Sequence, residues 1–106
     1  MVREISPTEF VARRDRGDDL LLLDVREPHE LAIASVAGAV HVPMAQVPDR
    51  LAELDPAREI VVLCRSGGRS MQVARFLESR GYGSVSNLTG GTLAWSRDVD
   101  PSLPTY

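Results

Sequence analysis

Two short runs, Leu20-Leu21-Leu22-Leu23 and Ile60-Val61-Val62-Leu63, are apolar at every position. A strand with one wet face alternates apolar and polar residues. A strand with no polar break has both faces covered. Helical signals flank each run over short connections, a pattern that predicts an α/β fold with a mostly parallel central sheet and helices on both faces. With 106 residues there is no room for a second core, so residues 1–106 are read as one domain.

The surrounding elements follow from local chemistry. Ser6-Pro7-Thr8-Glu9 is a helix start, with Ser6 as N-cap, Pro7 in the first turn and Glu9 positioned for a capping box. That helix carries Phe10 and Val11 inward and ends at Arg16-Gly17-Asp18. Pro28 opens a short helix to about Ile33, and Ala39 to Val42 reads as a short strand stopped by Pro43. Val47, Leu51 and Leu54 fall on one face of an expected helix from Gln46 to Leu54. A helix from about Ser70 to Arg80 has a wide apolar face, with Gly81 at its C-cap. Ser84 to Asn87 reads as a strand, Thr89-Gly90-Gly91 as a turn, and Thr92 to Arg97 as a last helix carrying Trp95. The tail from Asp100 to Tyr106 holds two prolines and is expected to be extended.

Composition excludes several kinds of function. Net charge is −3, which gives no basic surface for nucleic acid. All twelve cationic residues are arginine, so lysine-based Schiff-base chemistry is absent. The longest aliphatic run is far short of the roughly 20 residues a membrane span needs. The charged start, Met1-Val2-Arg3-Glu4, carries no signal-peptide segment, and one cysteine makes no internal disulfide. A cytoplasmic, reducing location is therefore expected, which suits a free thiol. Neither His29, read as a surface residue, nor His41, read as a scaffold residue, lies at ligand spacing from Cys64. No metal site and no cofactor are predicted.

Cys64, the only cysteine, ends the second apolar run and is followed by Arg65-Ser66-Gly67-Gly68-Arg69-Ser70. A buried strand thus delivers a thiol into a loop of glycine and arginine, just before a helix. Unpaired N–H groups at a helix start and neighbouring guanidiniums both favour thiolate over thiol and cradle an anion. Cys64 is therefore the candidate nucleophile. Gly67 and Gly68 are expected to allow the sharp turn, Arg65 and Arg69 to bind an anionic substrate, and Ser66 and Ser70 to contribute N–H or hydroxyl donors. Asp24 and Arg26, leaving the first apolar strand at the same sheet end, are read as supporting residues that brace the loop.

Four blocks carry a resemblance to the rhodanese family of sulfurtransferases. They are Leu22 to Glu30, Gly38 to Pro43, the Cys64 loop through Ser70, and Asn87 to Trp95. The closing stretch from Trp95 to Tyr106 is similar to rhodanese domains attached to enzymes that adenylate sulfur-carrier proteins. The chain departs from many members at Ser35-Val36-Ala37, where a histidine and a proline are common, a change that touches a scaffold turn. The resemblance implies that Cys64 accepts a sulfane sulfur from a small anionic donor such as thiosulfate and holds it as a persulfide. The sulfur then passes to an acceptor: cyanide in an assay, a protein or thiol in the cell. It implies a sulfur-carrier protein or adenylating enzyme as partner. Two other functions compete: a persulfide relay or binding module for a carrier protein, and a cysteine-dependent phosphatase or arsenate reductase. The last needs one more residue between cysteine and arginine than the four found here.

Overall fold

The computed structural model describes all residues, 1–106. Its core is a sheet of five strands, all parallel: β1 (Arg3–Ile5), β2 (Leu20–Asp24), β3 (Val40–His41), β4 (Glu59–Leu63) and β5 (Val85–Leu88). Their order across the sheet is β1-β5-β4-β2-β3, which puts β4 at the centre. The helices are α1 (Pro7–Asp15), α2 (Pro28–Ile33), α3 (Gly68–Ser79) and α4 (Gly91–Asp98). No helix is long and apolar enough to cross a membrane.

The unbroken apolar runs are explained by their two covered faces. Leu21, Leu23, Ile60, Val62 and Val85 point to one face, where Val73, Ala74 and Leu77 of α3 pack with Val47, Leu54 and Tyr82. Leu22, Val61, Leu63 and Leu88 point to the other, against Phe10 of α1, Trp95 of α4 and Leu103 of the tail. The Phe10 and Trp95 rings meet at 5.9 Å in a tilted arrangement that joins α1 to α4. The α1 start has the expected N-cap, with Ser6 Oγ accepting the Glu9 N–H at 3.1 Å, but the Glu9 side chain does not complete the capping box.

Three segments differ from the sequence expectation. The tail, expected to be extended, turns at Asp100–Leu103, where the Leu103 N–H donates to the Asp100 carbonyl at 3.0 Å. The segment read as a helix from Gln46 to Leu54 forms two 3₁₀ segments, Met44–Gln46 and Pro48–Glu53. Pro48 removes an N–H donor, and Arg50 leaves helical geometry at φ −117° and ψ 19°. The inward face survives: Val47 and Leu54 are buried, and the Tyr82 hydroxyl donates to the carbonyls of Leu51 and Leu54 at 3.1 and 2.9 Å. Strand β1 was not anticipated, because its first two residues are charged and exposed and only Ile5 is buried.

Strand addition reverses direction between β2 and β4. From β2 the chain adds β3 toward one edge, then returns across β2 to β4 and adds β5 toward the other. In open parallel sheets the cleft at such a reversal, beyond the carboxyl ends of the strands, is where ligands bind. Asp24 and Cys64 lie there, at the ends of neighbouring strands joined by Val25 N–H to Leu63 O at 3.0 Å.

The start of α4 also closes on this end of the sheet. The N–H groups of Thr92 and Leu93 donate to the carbonyls of Cys64 and Arg65 at 2.9 and 3.2 Å. Gly91 makes this approach possible: at φ 59° it is left-handed, and a Cβ there would collide with both carbonyls. The pair Gly90-Gly91 is therefore the docking point of α4 on the cysteine loop as well as a turn. Gly91→Ala is expected to cost more than about 3 kcal/mol in unfolding free energy by urea titration. Gly17→Ala, also at positive φ but with nothing within 4 Å, should cost only about 1–2 kcal/mol. Equal losses would contradict the tight docking.

Candidate active site around Cys64

Cys64 follows the last residue of β4, is 1% exposed and borders the apolar cluster under α3. Its sulfur nevertheless meets polar groups. The Gly67 N–H donates to Sγ at 3.1 Å, and Ser70 Oγ lies 3.2 Å away. Gly67, the N-cap of α3, sits at φ 111°, a conformation open to glycine and unfavourable for other residues. Gly68 has no positive φ and open space around its Cα, so the sharp turn belongs to Gly67 alone, not to both glycines as expected. Burial pushes the Cys64 thiol up. Contacts with the Ser70 hydroxyl and with the backbone N–H groups of Ser70, Gly67 and Ser66 outweigh it and leave the thiol below its ordinary value.

The two loop arginines are not equivalent. Arg69, expected to face an incoming anion, is engaged by Glu30 through two short bonds of 2.6 and 2.9 Å. A cation at the first turn of α3 opposes the helix dipole, and the Glu30 carboxylate offsets it. Glu30 is itself held by α2, whose capping box includes a 3.0 Å bond from the Glu27 N–H to Glu30 Oε1. Arg65 has no carboxylate partner. Its guanidinium lies 5.2 Å from the Tyr106 ring centroid, and its Nε is buried without a hydrogen-bond partner. Ser66 and Gly68 are exposed on the outer side of the loop.

Asp24 and Arg26 form a fully buried ion pair beside the loop, with Nη2 to Oδ2 at 2.7 Å. Arg26 also donates to the Ala34 carbonyl and to the Tyr106 hydroxyl, each at 2.8 Å. Removing two charges from water is expensive, and these extra acceptors are what make the pair tolerable. The Tyr106 hydroxyl donates in turn to Glu30 Oε2 at 2.9 Å, so one chain of contacts runs from Asp24 through Arg26, Tyr106 and Glu30 to Arg69. His41 Nε2 lies 2.6 Å from the Arg26 carbonyl, a scaffold position, and His29 is exposed.

Sequence reasoning missed Glu30 and Tyr106 as parts of this site. Glu30 had a usable signal, since it lies three residues after Glu27 in a proline-led first turn. Tyr106 had none, because its placement depends on the path of the tail.

The Glu30 carboxyl is lowered to about 2, chiefly by Arg69; burial opposes this, and the Glu27 N–H and Tyr106 hydroxyl assist it. A depressed carboxyl stabilises the fold above its unfolded value, near 4.3, and loses that contribution as pH falls toward 2. Acid titration of folding stability should therefore decline less steeply below about pH 4 in Glu30→Gln, by on the order of 2 kcal/mol across the window. Parallel curves would show that the pair contributes no stability.

Comparison with known proteins agrees with the geometry. Residues 6–98 match the rhodanese-like domain family. A sulfurtransferase of Allochromatium vinosum is 41% identical over 97 residues, which cover 92% of this chain and 91% of that protein. The rhodanese-like/PpiC domain-containing protein 12, chloroplastic, of Arabidopsis thaliana is 50% identical over 93 residues, 84% of this chain. This chain spans only 31% of that protein, and 23% of the Zea mays adenylyltransferase and sulfurtransferase MOCS3-1, to which it is 35% identical over 109 residues. The crystal structure of a rhodanese-like domain protein from Staphylococcus aureus superposes with a TM-score of 0.85 at 27% identity, covering 99% of each chain. With the Cys64 loop built at the carboxyl end of a central parallel strand and the match extending over nearly its whole length, this chain belongs to the rhodanese-like domain family.

Proposed function

We propose that the protein is a sulfurtransferase in which Cys64 carries a sulfane sulfur as a persulfide. The observation that carries this reading is the Gly67 N–H aimed at Cys64 Sγ beneath the start of α3. The thiolate attacks the outer sulfur of an anionic donor such as thiosulfate. A new S–S bond forms, the donor's S–S bond breaks, and sulfite leaves with the electron pair. The outer sulfur of the persulfide is then attacked by an acceptor nucleophile, and the Cys64 thiolate departs. The N–H groups of the loop stabilise negative charge on sulfur in both steps.

Arg65 is the residue proposed to take the anionic end of the donor, because Arg69 is already paired with Glu30. A planar guanidinium with free donors suits a sulfonate or carboxylate. Ser66, Gly68 and Ser70 complete the binding loop, while Asp24 and Arg26 keep its neighbour rigid. In the cell the acceptor is proposed to be a thiol or a sulfur-carrier protein, a reading supported by the similarity of the tail to rhodanese domains attached to enzymes that adenylate such carriers. A reducing, cytoplasmic setting would keep the thiol free.

Phosphoryl chemistry fits the site poorly. A tetrahedral oxyanion needs a wide ring of donors around the nucleophile. Here Cys64 is 1% exposed, four residues separate it from Arg69, and Glu30 occupies that arginine. A single divalent sulfur suits so tight a seat better.

Intact mass measurement after incubation with thiosulfate tests the reading. The protein should gain the mass of one sulfur, lose it to cyanide, and show no gain as Cys64→Ser. Arg65→Gln should raise KM for thiosulfate about tenfold with a smaller change in kcat, as expected for loss of a charged contact made on binding. Turnover of an aryl phosphate without sulfur uptake would reverse the assignment.

A further inference from the structure

Ser70 has one hydroxyl proton and two polar neighbours. Its Oγ lies 3.2 Å from Cys64 Sγ and within hydrogen-bonding reach of Asn87 Oδ1, and the side chain is fully buried. The far side of Asn87 decides which neighbour receives the proton. Asn87 Nδ2 donates to the Glu4 carboxylate at 3.1 and 3.4 Å and to the Gly67 carbonyl at 3.3 Å. A carboxylate and a carbonyl can only accept, so the amide NH₂ faces them and Oδ1 faces Ser70. Oδ1 has no proton to give, which makes Ser70 the donor in that contact. Sheet register enforces the arrangement, since Glu4 on β1 and Asn87 on β5 are directly paired.

We propose that Asn87, locked by Glu4, is a positioning residue that holds the Ser70 hydroxyl proton away from Cys64 Sγ and so places its lone pairs against the sulfur. The proposal rests on the persulfide reading above. Two states of the sulfur accept this arrangement. A neutral thiol donates its own proton to Ser70 Oγ, and the inner sulfur of a persulfide has neither proton nor charge. The thiolate alone calls for the hydroxyl proton, and supplying it strips a buried amide oxygen of its donor, a costly loss. The standing support of the thiolate is thus the backbone N–H groups, and the Ser70 contribution is conditional on Asn87 yielding. An incompletely solvated thiolate is the more nucleophilic one, and its discomfort is relieved by taking up sulfur.

The charged and titratable groups around the loop are Arg65, the Arg69–Glu30 pair, the Asp24–Arg26 pair, Tyr106 and, behind Asn87, Glu4. None of them hydrogen-bonds Ser70 Oγ, which is why the effect can be isolated.

The test is the pH profile of Cys64 alkylation by iodoacetamide in the full chain, compared among wild type, Asn87→Ala, Ser70→Ala and the double variant. No sulfur donor is used, so the result is independent of sulfur uptake. Asn87→Ala should free the hydroxyl and raise the ionisation constant of Cys64 about fivefold, moving the profile to lower pH. The same substitution in the Ser70→Ala background should move nothing. Equal shifts in both backgrounds, or a profile displaced to higher pH in Asn87→Ala, overturn the proposal. Should Asn87→Ala fail to fold, Glu4→Ala on exposed β1 replaces it. Loss of the Glu4 charge acts alike in both backgrounds, so a larger shift with Ser70 present supports the proposal and equal shifts refute it.

Discussion

The Cys64 sulfur is subject to two opposing demands. Burial at the end of the central strand disfavours a charge on it, and the hydrogen bonds of the loop favour one. The second effect prevails through contacts with the Ser70 hydroxyl and the backbone N–H groups of Ser70, Gly67 and Ser66, the Gly67 N–H being aimed at Sγ by its left-handed conformation. Much of the remaining structure holds that loop in place. Thr92 and Leu93 of α4 grip the carbonyls of Cys64 and Arg65, and Gly91 lets them come close enough. A thiolate in a floppy loop would be solvated by water instead, and its chemistry would be that of any exposed cysteine.

A second ring of contacts distinguishes the two loop arginines. Glu30 pairs with Arg69 at the first turn of α3, so the cation that the sequence places closest to the helix start already has a carboxylate partner. Tyr106 links Glu30 to the buried Asp24–Arg26 pair, and its ring lies beneath the Arg65 guanidinium. Positive charge near the sulfur is thus divided into a committed part and an uncommitted part. In the proposed function, the first part shapes the loop and the second receives the anion.

The fold was largely legible because unbroken apolar runs and proline- or serine-led helix starts are local signals with one physical meaning. The sheet, its parallel sense and the position of Cys64 at its carboxyl end follow from them. What escaped was non-local. Strand β1 is recognisable only by its pairing with β5, since Arg3 and Glu4 have no apolar pattern. The 3₁₀ geometry of Pro48–Glu53 kept the inward positions of a helix while losing its hydrogen bonds. At the site, Cys64, Gly67 and Ser70 stood out because chemistry and backbone requirement coincide in one short segment. Glu30, Asn87 and Tyr106 reach the loop from three other parts of the chain, and only the closed fold brings them together. The Arg69 carboxylate partner is hidden from the sequence for the same reason, lying 39 positions away.

The central claim is that the loop sustains negative charge on a buried divalent sulfur. Titrating the ultraviolet absorbance of the thiolate in the unmodified protein, with the Cys64→Ser protein as blank, tests this most directly. A transition centred clearly below about 8.5, the value of an unperturbed thiol, is expected. A transition at or above that value would mean that burial prevails over the loop, and would contradict the account.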